Sequence, residues 1–174
     1  MKIKDMDITS LAAYICNHLD SKGIKVVLSG GAVVSIYSMN KYQSYDLDFI
    51  ENISSSRKEI IKAMNEIGFS EQNKYFTHPD TEYFIEFPSG PLAIGREPIS
   101  EINTIVTPVG NLKIISPTDC VKDRLAGYFY WNDQQSLKQA IMVYKDSNVN
   151  LQEVEKWADR EEKLTEYKTI DWNK

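Results

Sequence analysis

Residues 26–50, VVLSGGAVVSIYSMNKYQSYDLDFI, carry most of the information in this chain. The run begins with apolar, β-branched residues through Leu28 and turns at Gly30-Gly31. It continues through Ala32, Val33, Ile36 and Tyr37 at helical spacing, then enters a second apolar segment containing Asp46-Leu47-Asp48. The pattern predicts strand, glycine turn, helix, strand, with a strand over 25–29, a helix over 30–39 and a strand over 47–50.

On the N-terminal side, Ile8, Leu11, Ala12, Ile15, Cys16 and Leu19 recur at i, i+3, i+4 and predict an amphipathic helix over 7–21, ended near Gly23. On the C-terminal side, Ser56 and Glu59 have capping-box spacing, so a helix should run from 56 to 67 and stop at Gly68. Residues 74–77 and 83–87 read as paired strands about the His78-Pro79-Asp80 turn, followed by a Pro/Gly-rich loop through Gly95. A second pair, 101–109 and 111–115, turns at Gly110. Ser116-Pro117 is a helix start, with proline at a position where its missing N–H costs nothing. Further helices are predicted over 134–145 and from Asn150, where Glu153 stands at capping distance. The order implies an α+β fold: a mixed sheet backed by helices over 1–115, a helical annex over 116–164 packed on it, and a loose polar tail over 165–174.

The 174 residues suit one domain with an annex, and the apolar share of 42% is enough for a core. No apolar run reaches the ~20 residues of a membrane span. The opening MKIKDMDITS lacks the apolar centre of a secretion signal. Cys16 and Cys120 both fall in apolar helical patterns and read as reduced core residues of a cytoplasmic protein. The net charge of −5 argues against non-specific nucleic-acid binding, while leaving room for a nucleotide held through metal.

Alternate side chains of a strand share a face, so Asp46 and Asp48 project the same way, about 7 Å apart along the backbone. Like charges this close raise each other's pKa, and a bound cation relieves the repulsion. Mg²⁺ is held by one or two carboxylates plus substrate phosphates. A bare D-x-D also fits an exposed strand end with two solvated aspartates. Gly30-Gly31 follows a strand and opens a helix, where backbone N–H groups and the helix dipole favour an anion and missing side chains let a phosphate approach. The same pair also fits a tight turn that needs positive φ. Glu86 is the only charge within the apolar run Tyr83–Phe87 and is a candidate third acid, with Asp80 and Glu82 as rivals near the start of the same strand.

Leu28-Ser29-Gly30-Gly31 followed by Asp46-Leu47-Asp48-Phe49 resembles the signature of the nucleotidyltransferase superfamily of polymerase-β-like fold. Those proteins carry a small-hydrophobic-Gly-[Gly/Ser] turn and then an acidic pair of form Dh[DE]h. The stretch looks most like minimal bacterial and archaeal members, including toxins of the AbiEii type. The resemblance implies that Ser29, Gly30 and Gly31 hold a triphosphate and that Asp46 and Asp48 bind Mg²⁺, with Glu86 as third acid. It further implies transfer of a nucleoside monophosphate from an NTP to an unknown hydroxyl on protein, RNA or a small molecule, with two metal ions in an active member. Lys122 and Arg124, on the helix after the last strand, would face the phosphates. A non-catalytic nucleotidyltransferase-fold module, binding nucleotide or an antitoxin-type partner or forming a homodimer, is the alternative. Asp133 reads as a helix N-cap, and His18 and His78 have no metal-ligand spacing. Trp131, Trp157 and Tyr128 are assigned to annex packing, while Tyr37, Tyr42 and Tyr45 flank the site as possible base-stacking rings.

Overall fold

The computed structural model describes residues 1–51, 55–99 and 101–173. It is an α+β protein: among the described residues, seven α-helices surround a seven-stranded mixed sheet, with a small separate hairpin. The first helix, α1 (Ile8–Ser21), starts where Asp7 Oδ1 accepts from Ser10 N at 2.8 Å. Strand β1 (Val26–Ser29) leads directly into α2 (Gly30–Tyr37), and β2 (Asp46–Glu51) returns beside β1. The expected capping box is present at α3 (Arg57–Glu66), with Ser56 and Glu59 bonded reciprocally.

After α3 come β3 (Ser70–Gln72), β4 (Tyr75–Thr77) and β5 (Phe84–Glu86). The expected pair about the His78 turn is therefore β4 and β5, and β3 adds a strand that the polar Ser70-Glu71-Gln72 did not advertise. The loop expected over 88–95 contains half of a hairpin, β6 (Ala93–Ile94) with β7 (Glu97–Pro98). The last sheet strands are β8 (Ile102–Thr107) and β9 (Gly110–Ile115).

The sheet order is β3-β4-β5-β2-β1-β9-β8. β1 runs antiparallel to β2 and parallel to β9, while β2 and β5 are parallel. Helix α1 lies on β1, β8 and β9 and touches α3; α2 packs on β1 and β2. Leu28, Leu47, Phe49, Phe76, Ile85, Leu112 and Ile114 are fully buried across the central strands. Each such side chain stabilises the fold by about 1.5–3 kcal/mol relative to exposure.

The C-terminal helices are α4 (Pro117–Trp131), α5 (Gln134–Asp146), α6 (Leu151–Arg160) and α7 (Leu164–Lys168). Ser116 caps α4 ahead of Pro117, left-handed Asn132 ends it, and Asp133 caps α5 as expected. α4 and α5 both contact α2, which ties the helical annex to the glycine turn. Two sequence expectations need correction here. The tail from 165 is not loose: Tyr167 on α7 is buried, and Trp172 packs against Tyr144 and Tyr167 with centroids at 5.1 and 6.0 Å. Its last residue, Lys174, lies outside the described residues. Trp157 is fully buried and stacks on Phe129, and Tyr128 packs beside the same ring, but Trp131 is 78% exposed at the end of α4. Cys16 and Cys120 are buried free thiols, as their apolar patterns predict. No described helix is long and apolar enough to cross a membrane.

Candidate functional site

Sheet register assembles three acidic side chains. Antiparallel pairing places Asp48 opposite Ser29, the last residue of β1. Parallel pairing places Glu86 opposite Asp48 and Phe84 opposite Asp46. Asp46, Asp48 and Glu86 thus share one face of adjacent strands, while Leu47, Phe49 and Ile85 fill the core behind them. Each acid offers a carboxylate oxygen within 4.8 Å of the other two. Asp80 and Glu82 are exposed and stand outside this cluster.

Gly30 closes the site on the β1 side. Its φ is +71°, a region that disfavours side chains, and a Cβ there would lie 2.1 Å from Asp48 Oδ2. The backbone thus comes against the carboxylate as closely as a glycine permits. A Cβ on Gly31 would sit 3.0 Å from Ser44 Oγ and 3.6 Å from a ring carbon of Tyr42. Ser29 Oγ donates to Asp48 O at 3.3 Å, and Ser44 Oγ donates to Asp46 O at 3.2 Å. Ser35 Oγ accepts from Ser44 N at 2.8 Å, so α2 and the start of β2 are joined by a buried polar contact. Ser35 and Ser44 are supporting residues that sequence reasoning passed over; two serines in an apolar helix and a connecting loop give little signal.

Electrostatics match the crowding. Asp48 is raised to about 7, first by burial and then by Asp46 and Glu86, with Arg124 pulling the other way. Asp46 is also raised, by burial and then Glu86, with Lys74 opposing. Asp46 Oδ1 is buried with no hydrogen-bond partner among the described residues. Three hard oxygen donors in a partly desolvated cluster, one of them lacking a donor, fit a divalent cation such as Mg²⁺.

The two basic residues of α4 part company. Arg124 is largely buried, donates to Asp123 and to Gln139 Oε1, and its charge reaches Asp48. Lys122 does not join it: its ammonium lies 3.5 Å from Asp119 and 3.3 Å from Glu153, beside the β6–β7 hairpin and Trp157. The Lys122 ammonium, expected to face phosphates, is thus paired with acids of α4 and α6. Helical geometry held the signal, because residues two apart on a helix point to nearly opposite sides. Of the flanking tyrosines, Tyr37 spends its hydroxyl on Ile115 O at 2.8 Å, Tyr42 lies by Gly31, and exposed Tyr45 packs on Tyr83 at 5.9 Å. Lys74, 2.8 Å from Glu86 Oε1, was not anticipated. Beyond it an open groove of about 410 Å³ runs along β4 and β5, lined by Tyr75, Thr77, Glu82, Tyr83 and Phe84.

This mixed sheet, with a glycine-opened helix after its first strand and acids on the next, is a nucleotidyltransferase-like fold. Solved structures of the antibiotic-resistance factor ANT(2'')-Ia, an aminoglycoside nucleotidyltransferase, share it. Its solution structure aligns at a TM-score of 0.52 and 13% identity, covering 92% of this chain and 95% of that one. Its crystal structure in complex with adenylyl-2''-tobramycin aligns at 0.51 and 15%, covering 92% and 98%. At such identities the likeness is one of fold. No family model matches the chain, and no curated protein is similar to it in sequence.

Proposed function

We propose that this protein is a Mg²⁺-dependent nucleotidyltransferase that moves a nucleoside monophosphate from an NTP to a hydroxyl acceptor. The observation that carries the reading is the meeting of Asp46, Asp48 and Glu86 against the Gly30 turn. The N–H groups opening α2 at Gly30 and Gly31 would bind the triphosphate, helped by the Arg124 guanidinium and by the Ser29 hydroxyl once it turns from Asp48 O. Asp46 and Asp48 would hold the metal, with Glu86 as third ligand or as the group accepting the acceptor's proton. The metal, when bound, supplies positive charge to the phosphoryl oxygens and orients them for in-line displacement. The open groove along β4 and β5, on the strand that carries Glu86, would receive the acceptor. The AbiEii-like affiliation rests on the Leu28–Gly31 and Asp46–Phe49 motifs. Buried, unpaired Cys16 and Cys120 accord with a cytoplasmic location.

The test has two parts. Calorimetry with ATP, GTP, CTP and UTP, with and without Mg²⁺, should show metal-dependent triphosphate binding. Release of pyrophosphate in the presence of amino-sugar, RNA and protein hydroxyl acceptors should then be abolished by Asp46→Ala with Asp48→Ala. Unchanged turnover by the double variant, or no triphosphate binding by the wild type, refutes the proposal. Metal-dependent binding without transfer to any acceptor would favour the non-catalytic reading.

A further inference from the structure

Lys74 sits at the tip of the tight turn between β3 and β4, next to left-handed Asn73. Its position is built into the fold. Arg57, at the start of α3, donates to Glu71 Oε1 at 2.6 Å and to Lys74 O at 3.1 Å, and its guanidinium lies 4.9 Å from the Phe76 ring centroid. The hairpin backbone is thereby clamped to α3. From that anchor the Lys74 ammonium reaches 2.8 Å from Glu86 Oε1 and 4.8 Å from the Tyr75 ring centroid. Register explains both contacts, because Tyr75 pairs with Glu86 across β4 and β5. An intrinsic cation therefore stands at the third acid of the cluster, on the side away from Gly30. Its charge also reaches Asp46.

We infer that Lys74 takes the place of a second divalent cation, so that the acid cluster binds one metal ion per chain. This rests on the metal-site reading above and replaces its two-ion expectation. One divalent ion together with the ammonium balances the three carboxylates. A second ion would have to share Glu86 with a lysine that the hairpin holds beside it. The metal then belongs between Asp46 and Asp48, where Asp46 Oδ1 lacks a partner. Lys74 would serve at the Glu86 end as a positive charge tethered through the clamped hairpin backbone.

The stoichiometry can be counted without any activity. Mn²⁺ is titrated into the full chain, and the free ion is followed by electron paramagnetic resonance. The wild type should bind one ion. Lys74→Gln, at a side chain 62% exposed and so harmless to folding, should bind a second, and should bind the first about 1.5- to fivefold more tightly, the range an exposed unit charge commands. Lys74→Arg keeps the charge and should keep the single ion. Two ions in the wild type, or no change in number and affinity in Lys74→Gln, overturns the role of Lys74 while leaving the metal site standing. Absence of binding in both proteins overturns the metal site and the role of Lys74 with it.

Discussion

Gly30→Ala tests the closest contact in the site. Two separate costs are expected. An alanine at φ +71° is in the left-handed region, which disfavours L-residues by roughly 1–2 kcal/mol. The new Cβ would also lie 2.1 Å from Asp48 Oδ2, 3.0 Å from its Cγ and 3.3 Å from its Cβ. Ordinary contact begins at 3.4 Å, so the carboxylate must retreat by more than an ångström. Asp48 cannot yield through its backbone, which is paired to β1 on one side and β5 on the other. Its side chain must rotate into Asp46 and Glu86, at a cost of about 1–3 kcal/mol. Together the substitution should destabilise the apo protein by about 2–5 kcal/mol. In an Asp48→Ala background only the contact with the residue-48 Cβ remains. The same glycine substitution should then cost roughly 1–2 kcal/mol, the backbone part alone. Urea unfolding of the four proteins at pH 8 without divalent ions measures the coupling, expected at about 1–3 kcal/mol, the clash part that Asp48→Ala removes. Equal costs in both backgrounds would mean that the carboxylate does not pack on the Gly30 α-carbon, and the proposed closure of the site on that side would be wrong.

Asp48 ionises near 3.8 when unfolded but near 7 in the fold, so its charge opposes folding increasingly from pH 4 to pH 7 and fully above. Apo Asp48→Asn should therefore be more stable than wild type at pH 8, by up to about 4 kcal/mol, with the gain gone near pH 4; parallel urea-derived stability curves for the two proteins would contradict this. Tyr167→Ala, in the segment expected to be loose, should cost about 2–4 kcal/mol, since it empties the buried contact with Trp172 and loses the hydroxyl bond to Leu151 O. A thermal midpoint within a degree of wild type would show that α7 does not support the annex.

The site divides into parts that are local in sequence and parts that depend on pairing. Gly30-Gly31 and Asp46-Asp48 were legible because a turn between strand and helix, and alternation along one strand, are set by neighbouring residues. Caps at Ser56, Ser116, Asp133 and Asn150 were legible for the same reason. Glu86 could be singled out as a lone charge in an apolar strand, yet its arrival beside Asp48 depends on β5 joining β2 in parallel and in register. A slip of one residue would have turned Glu86 into the core and Ile85 toward the acids. Residues 83–87 set the face that Glu86 takes, but not the strand it pairs with. The polar strand β3 was illegible because its Ser, Glu and Gln lack the alternation that marks a half-buried strand, so Lys74 was read as the start of the strand over 74–77 and not as part of a β3–β4 turn. Tyr167 and Trp172 did carry a signal, two aromatic rings in an otherwise polar tail, which charge density concealed. Lys74 is the more instructive omission. A surface lysine in a tight turn looks like solubilising charge, and only two tertiary facts turn it toward the acids: the β4–β5 pairing of Tyr75 with Glu86, and the Arg57 clamp on the hairpin backbone. The same long-range pairing that completes the acid cluster therefore also delivers its counter-charge, so the charge balance of the cluster follows from sheet register and not from the acidic motif alone.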